Sequence, residues 1–98
     1  MMNYDDFLAT DARLIILKEL AQQPGHSANQ TILLKVLDTF GHRRSREWVR
    51  QQMRYLADMN AVQMTEAGTV LIARLKQAGR DHLEHRIKLE GVDAPSEG

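Results

Sequence analysis

There is no cysteine in this 98-residue chain. Its absence excludes disulfides, thiolate nucleophiles and zinc–thiolate sites, and it agrees with a reducing cytoplasm, the compartment expected for the protein. Long apolar runs are missing too. No stretch approaches the roughly 18–20 residues that cross a bilayer, so no membrane association is expected. Asp5 and Asp6 stand where an export signal would carry lysines ahead of an apolar segment, so export is not expected either. There is no net charge: thirteen Lys and Arg balance thirteen Asp and Glu. A general nucleic-acid coat is usually strongly basic, so the overall balance does not support that class.

The usual marks of catalysis are also absent. No glycine-rich phosphate loop is present, no Ser/His/Asp grouping stands in a motif context, and no spaced carboxylate pair marks a cleft. No catalytic residue and no cofactor is expected, and the protein reads as a non-enzyme. His82 and His85 lie three apart beside Asp81 and Glu84, but the spacing reproduces no recognised ligand pattern and His26 and His42 are remote. A solvated pair is the better reading, and no metal is expected.

What is present is a local charge cluster. Five of the thirteen basic residues (Arg43, Arg44, Arg46, Arg50 and Arg54) fall in one twelve-residue window with a single acid, Glu47. Arg46, Arg50 and Arg54 recur every fourth residue and share a helix face. Val49, Met53 and Leu56 recur at helical spacing on another face and are expected to meet a core. Exposed charges are screened beyond ~8 to 10 Å, so this patch matters more than the overall sum.

Around the patch the chain divides readily. Asn3 is a cap for a first short helix with Tyr4, Phe7 and Leu8 as its apolar side; Thr10 and Asp11 offer a second cap ahead of Arg13–Ala21, with Ile16, Leu17 and Leu20 as its stripe. Pro24–Gly25 ends it, and His26–Ala28 reads as a short extended piece. Asn29 caps a helix to about Phe40, with Leu33, Leu34, Leu37 and Phe40 expected inward and Gly41 as the stop. Four residues later Ser45 caps Arg46–Met59, a spacing that reads as helix-turn-helix. Past Asn60 the period drops to two: Val62 and Met64 alternate with polar residues, a turn is expected over Glu66–Gly68, and Thr69–Leu75 is β-branched and aliphatic. A last helix is expected over Gln77–Leu89.

Helices ahead of a two-stranded ribbon make a mainly α fold with a small β-hairpin (α+β), a winged helix-turn-helix. It is expected to occupy residues 3–89, with 90–98 as a flexible acidic tail.

Several spacings resemble winged-helix regulators: Arg13 with Ile16, Leu17 and Leu20; Ser45, Val49, Met53 and Leu56 followed by Asn60-Ala61-Val62; and Leu75 with Gly79. Asn60 replaces the usual Gly, and Lys76 the usual Thr cap. Over Asn3–Leu89 the chain is similar to small winged-helix proteins of Mu-like prophages, on Tyr4, Phe7-Leu8, Asp11-x-Arg13, Phe40-Gly41-His42, Ser45-Arg46 and Val49-Arg50. That resemblance implies phage biology and supports the fold; it carries no activity.

The expected function is binding of duplex DNA by a phage or prophage transcriptional regulator. Arg46, Arg50, Gln51 and Arg54 would face bases, and Arg43 and Arg44 phosphates at the helix entrance. Trp48 and Tyr55, seven apart, are expected to pack. The hairpin tip, Thr65–Thr69, has no cation and is expected to contribute little. Leu71, Leu83 and Ile87 are expected either to form a homodimer seam or to close the monomer core. The competing class is a winged-helix protein–protein module in phage morphogenesis or DNA packaging, its arginine face on an acidic partner.

Overall fold

In the computed structural model, which describes residues 3–96, the Asn3 side chain accepts from the Asp6 backbone N–H at 2.9 Å. The Asp6 carboxylate in turn accepts from the Asn3 N–H at 3.3 Å. This reciprocal cap satisfies donors that a helix end leaves bare, and it starts α1, Tyr4–Gln22. The break expected at Thr10–Asp11 does not occur. The Thr10 hydroxyl donates to the Phe7 carbonyl within the helix, and Asp11 is engaged by another segment.

A single 3-10 turn, Pro24–His26, follows, with Gly25 and His26 both at positive φ. It delivers the chain to β1, Ser27–Asn29. The Asn29 side chain then caps α2, Gln30–Thr39, by accepting from the Ile32 N–H. Ser45 does the same for α3, Arg46–Asp58, through the Trp48 N–H. Asn60, at φ 62°, takes the left-handed position that stops α3.

The hairpin is β2, Val62–Ala67, and β3, Val70–Leu75. Ala67 pairs with Val70, so the turn is Gly68–Thr69, slightly later than the sequence implies. Gly68, at φ 65°, holds the first central position, where a two-residue hairpin loop calls for glycine. β1 also pairs with β3, so the expected ribbon is one part of a three-stranded antiparallel sheet in the order β1-β3-β2. β1 is too short to cover all of β3. The Leu71 N–H is taken instead by the buried Gln30 side chain, whose Oε1 accepts at 2.7 Å.

Ile16, Leu17 and Leu20 of α1, Leu33 and Leu37 of α2, Val49, Met53 and Leu56 of α3, and Leu71, Ala73 and Leu75 of β3 form one buried cluster. Phe40, expected inward, is 64% exposed. It sits at the C-cap, where the backbone has left helical geometry and no longer continues the Leu33–Leu37 stripe. Leu34 is only half-buried.

The last helix, α4, is Gln77–Leu83, ending well before the expected Leu89. His85 adopts a left-handed conformation (φ 63°) and turns the chain back across α1. Residues 90–96, expected to be loose, are packed: Val92 and Pro95 are buried, as is Leu89 just before them. Backbone polar groups of this segment are tied to α1, α3 and α4. The Asp93 N–H donates to the Thr10 carbonyl and the Tyr55 hydroxyl to that of Glu90. His82, 1% exposed rather than solvated, accepts from the Leu89 N–H at Nδ1 and donates from Nε2 to the Asp93 carbonyl. Its neutral tautomer is set by those two partners. Glu97 and Gly98, the remainder of the expected tail, lie outside the described residues.

Among the described residues the architecture is thus four α-helices and a three-stranded antiparallel sheet, α+β and compatible with a winged-helix-like fold. No helix among them is long and apolar enough to cross a membrane.

Gly79 lets α4 approach the rest. A Cβ there would stand 2.6 Å from both the Ala61 carbonyl oxygen and a Leu75 methyl. One of those atoms is backbone, already bonded to the Lys76 N–H, so it has little freedom to move. Gly79→Ala is therefore expected to destabilise the fold by about 1–3 kcal/mol despite the better helix propensity of alanine, read as a lower urea midpoint at unchanged m-value.

Candidate nucleic-acid interface

The turn between α2 and α3 is held from inside. His42 is 5% exposed, its N–H bonds the Leu37 carbonyl, and its Nε2 lies 2.7 Å from the Asp11 carboxylate of α1. Its ring stacks on Trp48 at 6.2 Å between centroids. The Arg44 guanidinium covers the Trp48 ring at 4.5 Å, a cation–π contact. A four-residue turn with a buried imidazole at its centre fixes how α3 leaves α2.

A second set of contacts fixes α3 against α1. Arg13 donates from Nε to the Gln52 side-chain carbonyl at 2.9 Å and from Nη1 to the Gly91 carbonyl at 2.8 Å. Its guanidinium carbon also lies 3.6 Å from the centre of the Tyr55 ring. Burial lowers the Arg13 pKa from its ordinary value, the nearby Tyr55 and Asp6 acting in the opposite direction. Trp48 and Tyr55, expected to pack, are half-buried in these two sets of contacts. Neither set was apparent in the sequence, because Asp11 and His42, or Arg13 and Gly91, are far apart along the chain.

With its back fixed, α3 buries Val49, Gln52, Met53 and Leu56 and exposes Arg46, Glu47, Gln51, Arg54 and Asp58. Arg50 is half-buried on the flank, and its Nε–H has no protein acceptor. Arg46 and Arg50 have no carboxylate partner among the described residues. The other three arginines do. Arg43 reaches Asp38 at 3.4 Å, Arg44 reaches Asp5 at 3.6 Å, and Arg54 reaches Glu47 at 3.3 Å. All three pairs involve exposed groups, and such pairs contribute roughly 0–1 kcal/mol, so a competing anion displaces them at little cost.

Between α3 and the hairpin lies a shallow groove lined by Arg54, Ala57, Asp58, Met64, Glu66 and Leu71. Its two carboxylates against one guanidinium make it unattractive to phosphate. The hairpin tip, residues 65–69, is exposed and carries no cation. Of the residues expected at a dimer seam, Leu71 is 3% exposed within the monomer and Leu83 is half-buried against the core. Ile87, at 44%, is the one left at the surface.

The sequence is 35% identical over 91 residues to gp26 of Escherichia phage Mu, an uncharacterised protein, covering 93% of this chain and 94% of gp26. The chain belongs to this phage protein family. A Haemophilus influenzae protein, also uncharacterised, is 33% identical over 75 residues, spanning 76% of this chain and 65% of that one. No protein-family model and no solved structure matches the chain.

The Asp11–His42 contact generates a stability prediction for this phage protein. Asp11→Ala is expected to cost about 1.5–3 kcal/mol because it leaves the buried His42 ring unmet, and His42→Ala a similar amount because it removes the bond and the ring packed on Trp48. The double variant is expected to lose at least 0.5 kcal/mol less than the two single losses added together, the sign of direct coupling. Equilibrium urea unfolding of the four proteins measures both quantities.

Proposed function

We propose that this phage protein is a non-enzymatic winged helix-turn-helix protein that binds duplex DNA with α3, acting in the cytoplasm as a phage or prophage transcriptional regulator. The observation that carries the reading is the combination on α3. A Ser45-capped helix leaves a tight, internally braced turn, buries one flank, and carries Arg46 and Arg50 without carboxylate partners among the described residues. Such a rod is the form that enters a major groove. On this reading Arg46, Arg50 and Gln51 meet base edges or phosphates, arginine suiting guanine and glutamine adenine. Arg43 and Arg44 stand at the helix entrance, where phosphates pass. Arg54 joins them once it exchanges Glu47 for an anion. A homodimer would present two such helices about one turn of DNA apart, ~34 Å.

A second reading has its own support. Glu47, Asp58 and Glu66 beside Arg54 give the α3–hairpin groove a mixed character better matched to a protein than to a duplex. That reading makes the molecule a winged-helix interaction module in phage morphogenesis or DNA packaging.

Fluorescence anisotropy with a labelled mixed-sequence duplex at low salt separates them. The wild type is expected to bind in the micromolar range, and Arg46→Ala/Arg50→Ala to bind at least tenfold more weakly. The log–log salt dependence should become shallower by about 1 for each phosphate contact removed. Absence of wild-type binding at high micromolar protein overturns the regulator reading. Equal binding by the variant overturns the assignment to α3.

A further inference from the structure

Among the described residues, one concavity lined by cations without carboxylates lies away from α3. It lies where β3 runs into α4, lined by Gly25, His26, Gln63, Arg74, Leu75, Lys76, Gln77 and Arg80, and encloses about 430 Å³. That is room for a phosphate group with its waters. Three permanent cations line it and no carboxylate does. None of the lining residues belongs to α3. Arg74 points outward on β3, between Ser27 of β1 and Gln63 of β2, while its neighbours Ala73 and Leu75 face the core.

What holds these cations distinguishes them from the arginines around α3. Arg74 donates to the Gln63 side-chain carbonyl at 3.3 Å, and Arg80 to that of Gln77 at 3.3 Å. The Lys76 ammonium is bonded to the Asn60 side-chain carbonyl. Each bonds a neutral amide oxygen, and none has a carboxylate partner among the described residues, so its charge stays uncompensated. The nearby carboxylate, Asp81, is taken up by the Gln77 amide and Arg86. Three like charges converging on one concavity repel one another, and a multivalent anion relieves that repulsion while meeting their spare N–H donors.

We propose that this concavity is a phosphate-binding site, with Arg74, Lys76 and Arg80 as the anion ligands. The phosphates come from a nucleic-acid backbone or from a small phosphorylated molecule. The proposal is independent of the role given to α3, since no residue is shared between them.

The test uses the full chain and Arg74→Gln/Arg80→Gln, whose side chains are at or near the surface. Pyrophosphate is titrated by NMR against chloride at matched ionic strength, and the labelled duplex by anisotropy across a salt series. Wild-type amide resonances of Gln63 and of residues 74–80 are expected to shift saturably with pyrophosphate, and the shifts to vanish in the variant. If duplex affinity also falls about tenfold and the salt slope flattens by about 2, the phosphates are those of nucleic acid. Loss of pyrophosphate shifts with duplex binding untouched identifies a small phosphorylated ligand. Resonances unmoved by pyrophosphate, together with wild-type duplex affinity and slope in the variant, overturn the site. Failure of the α3 reading is seen separately, in Arg46→Ala/Arg50→Ala.

Discussion

A guanidinium taken half out of water must find acceptors, and Arg13 finds them on two other segments. Its Nε reaches Gln52 of α3 and its Nη1 the carbonyl of Gly91, while Tyr55 covers its face. Gly91 is the residue that allows this closure. At φ 75° it would need a Cβ 2.1 Å from the Tyr55 hydroxyl oxygen, so only a residue without one fits. The same stretch of α1 supplies Asp11 to His42 in the turn and the Thr10 carbonyl to the Asp93 N–H. Three residues within one turn of α1, Thr10, Asp11 and Arg13, thereby fasten the turn, α3 and the C-terminal segment. The apolar core alone would leave α3 free to slide along the helices beneath it, because Leu and Met side chains tolerate several packings. Directional polar bonds at its margin select one.

The local elements were legible in the sequence because their signals are local. Asn29 and Ser45 sit one residue before their helices and bond N–H groups three residues on, so their chemistry is readable without coordinates. Asn60 and the change of period after it mark the end of α3 and the hairpin for the same reason. Misplaced features depended on partners distant in the chain. Thr10 and Asp11 have capping chemistry, yet the buried stripe Ala9, Ala12, Ile16, Leu17 and Leu20 finds a continuous surface to bury on, so α1 passes through them unbroken. The C-terminal residues look polar and anchorless, but Leu89 and Val92 become anchors once His85 reverses the chain and His82 holds it. Of the candidate site, the arginine register was legible. The amide-held cations at Arg74, Lys76 and Arg80 were not, because they come together only when a strand end, a hairpin partner and a helix start meet.

The two cationic regions show why net charge says so little about this protein. Thirteen charges of each sign cancel in the sum, but pairing is uneven. Around α3 carboxylates from α1, α2 and α3 itself lie beside Arg44, Arg43 and Arg54, lowering the local potential. At the β3–α4 junction the partners of Arg74, Lys76 and Arg80 are neutral amides instead. A polyanion approaching by diffusion responds to that unevenness within a Debye length, not to the total. Any contact by α3 would therefore depend more on close fit than on long-range attraction.

Glu47 makes that dependence concrete. It stands in the first turn of α3, where the helix dipole favours an acid, and its carboxylate holds Arg54. On the proposed DNA-binding reading the pair acts as a tax on non-specific association. A duplex offering only phosphate must displace Glu47 and then keep a carboxylate close to its own negative charge. A duplex that also offers Arg54 a guanine edge regains two directed bonds from the same displacement. An acid among arginines then lowers affinity for every duplex, and the guanine bonds of Arg54 offset that loss only on a matching sequence. On the protein-module reading the same carboxylate is simply half of a mixed-charge surface, and its removal would weaken partner binding. Loss of Glu47 would thus strengthen duplex binding on the first reading and weaken partner binding on the second.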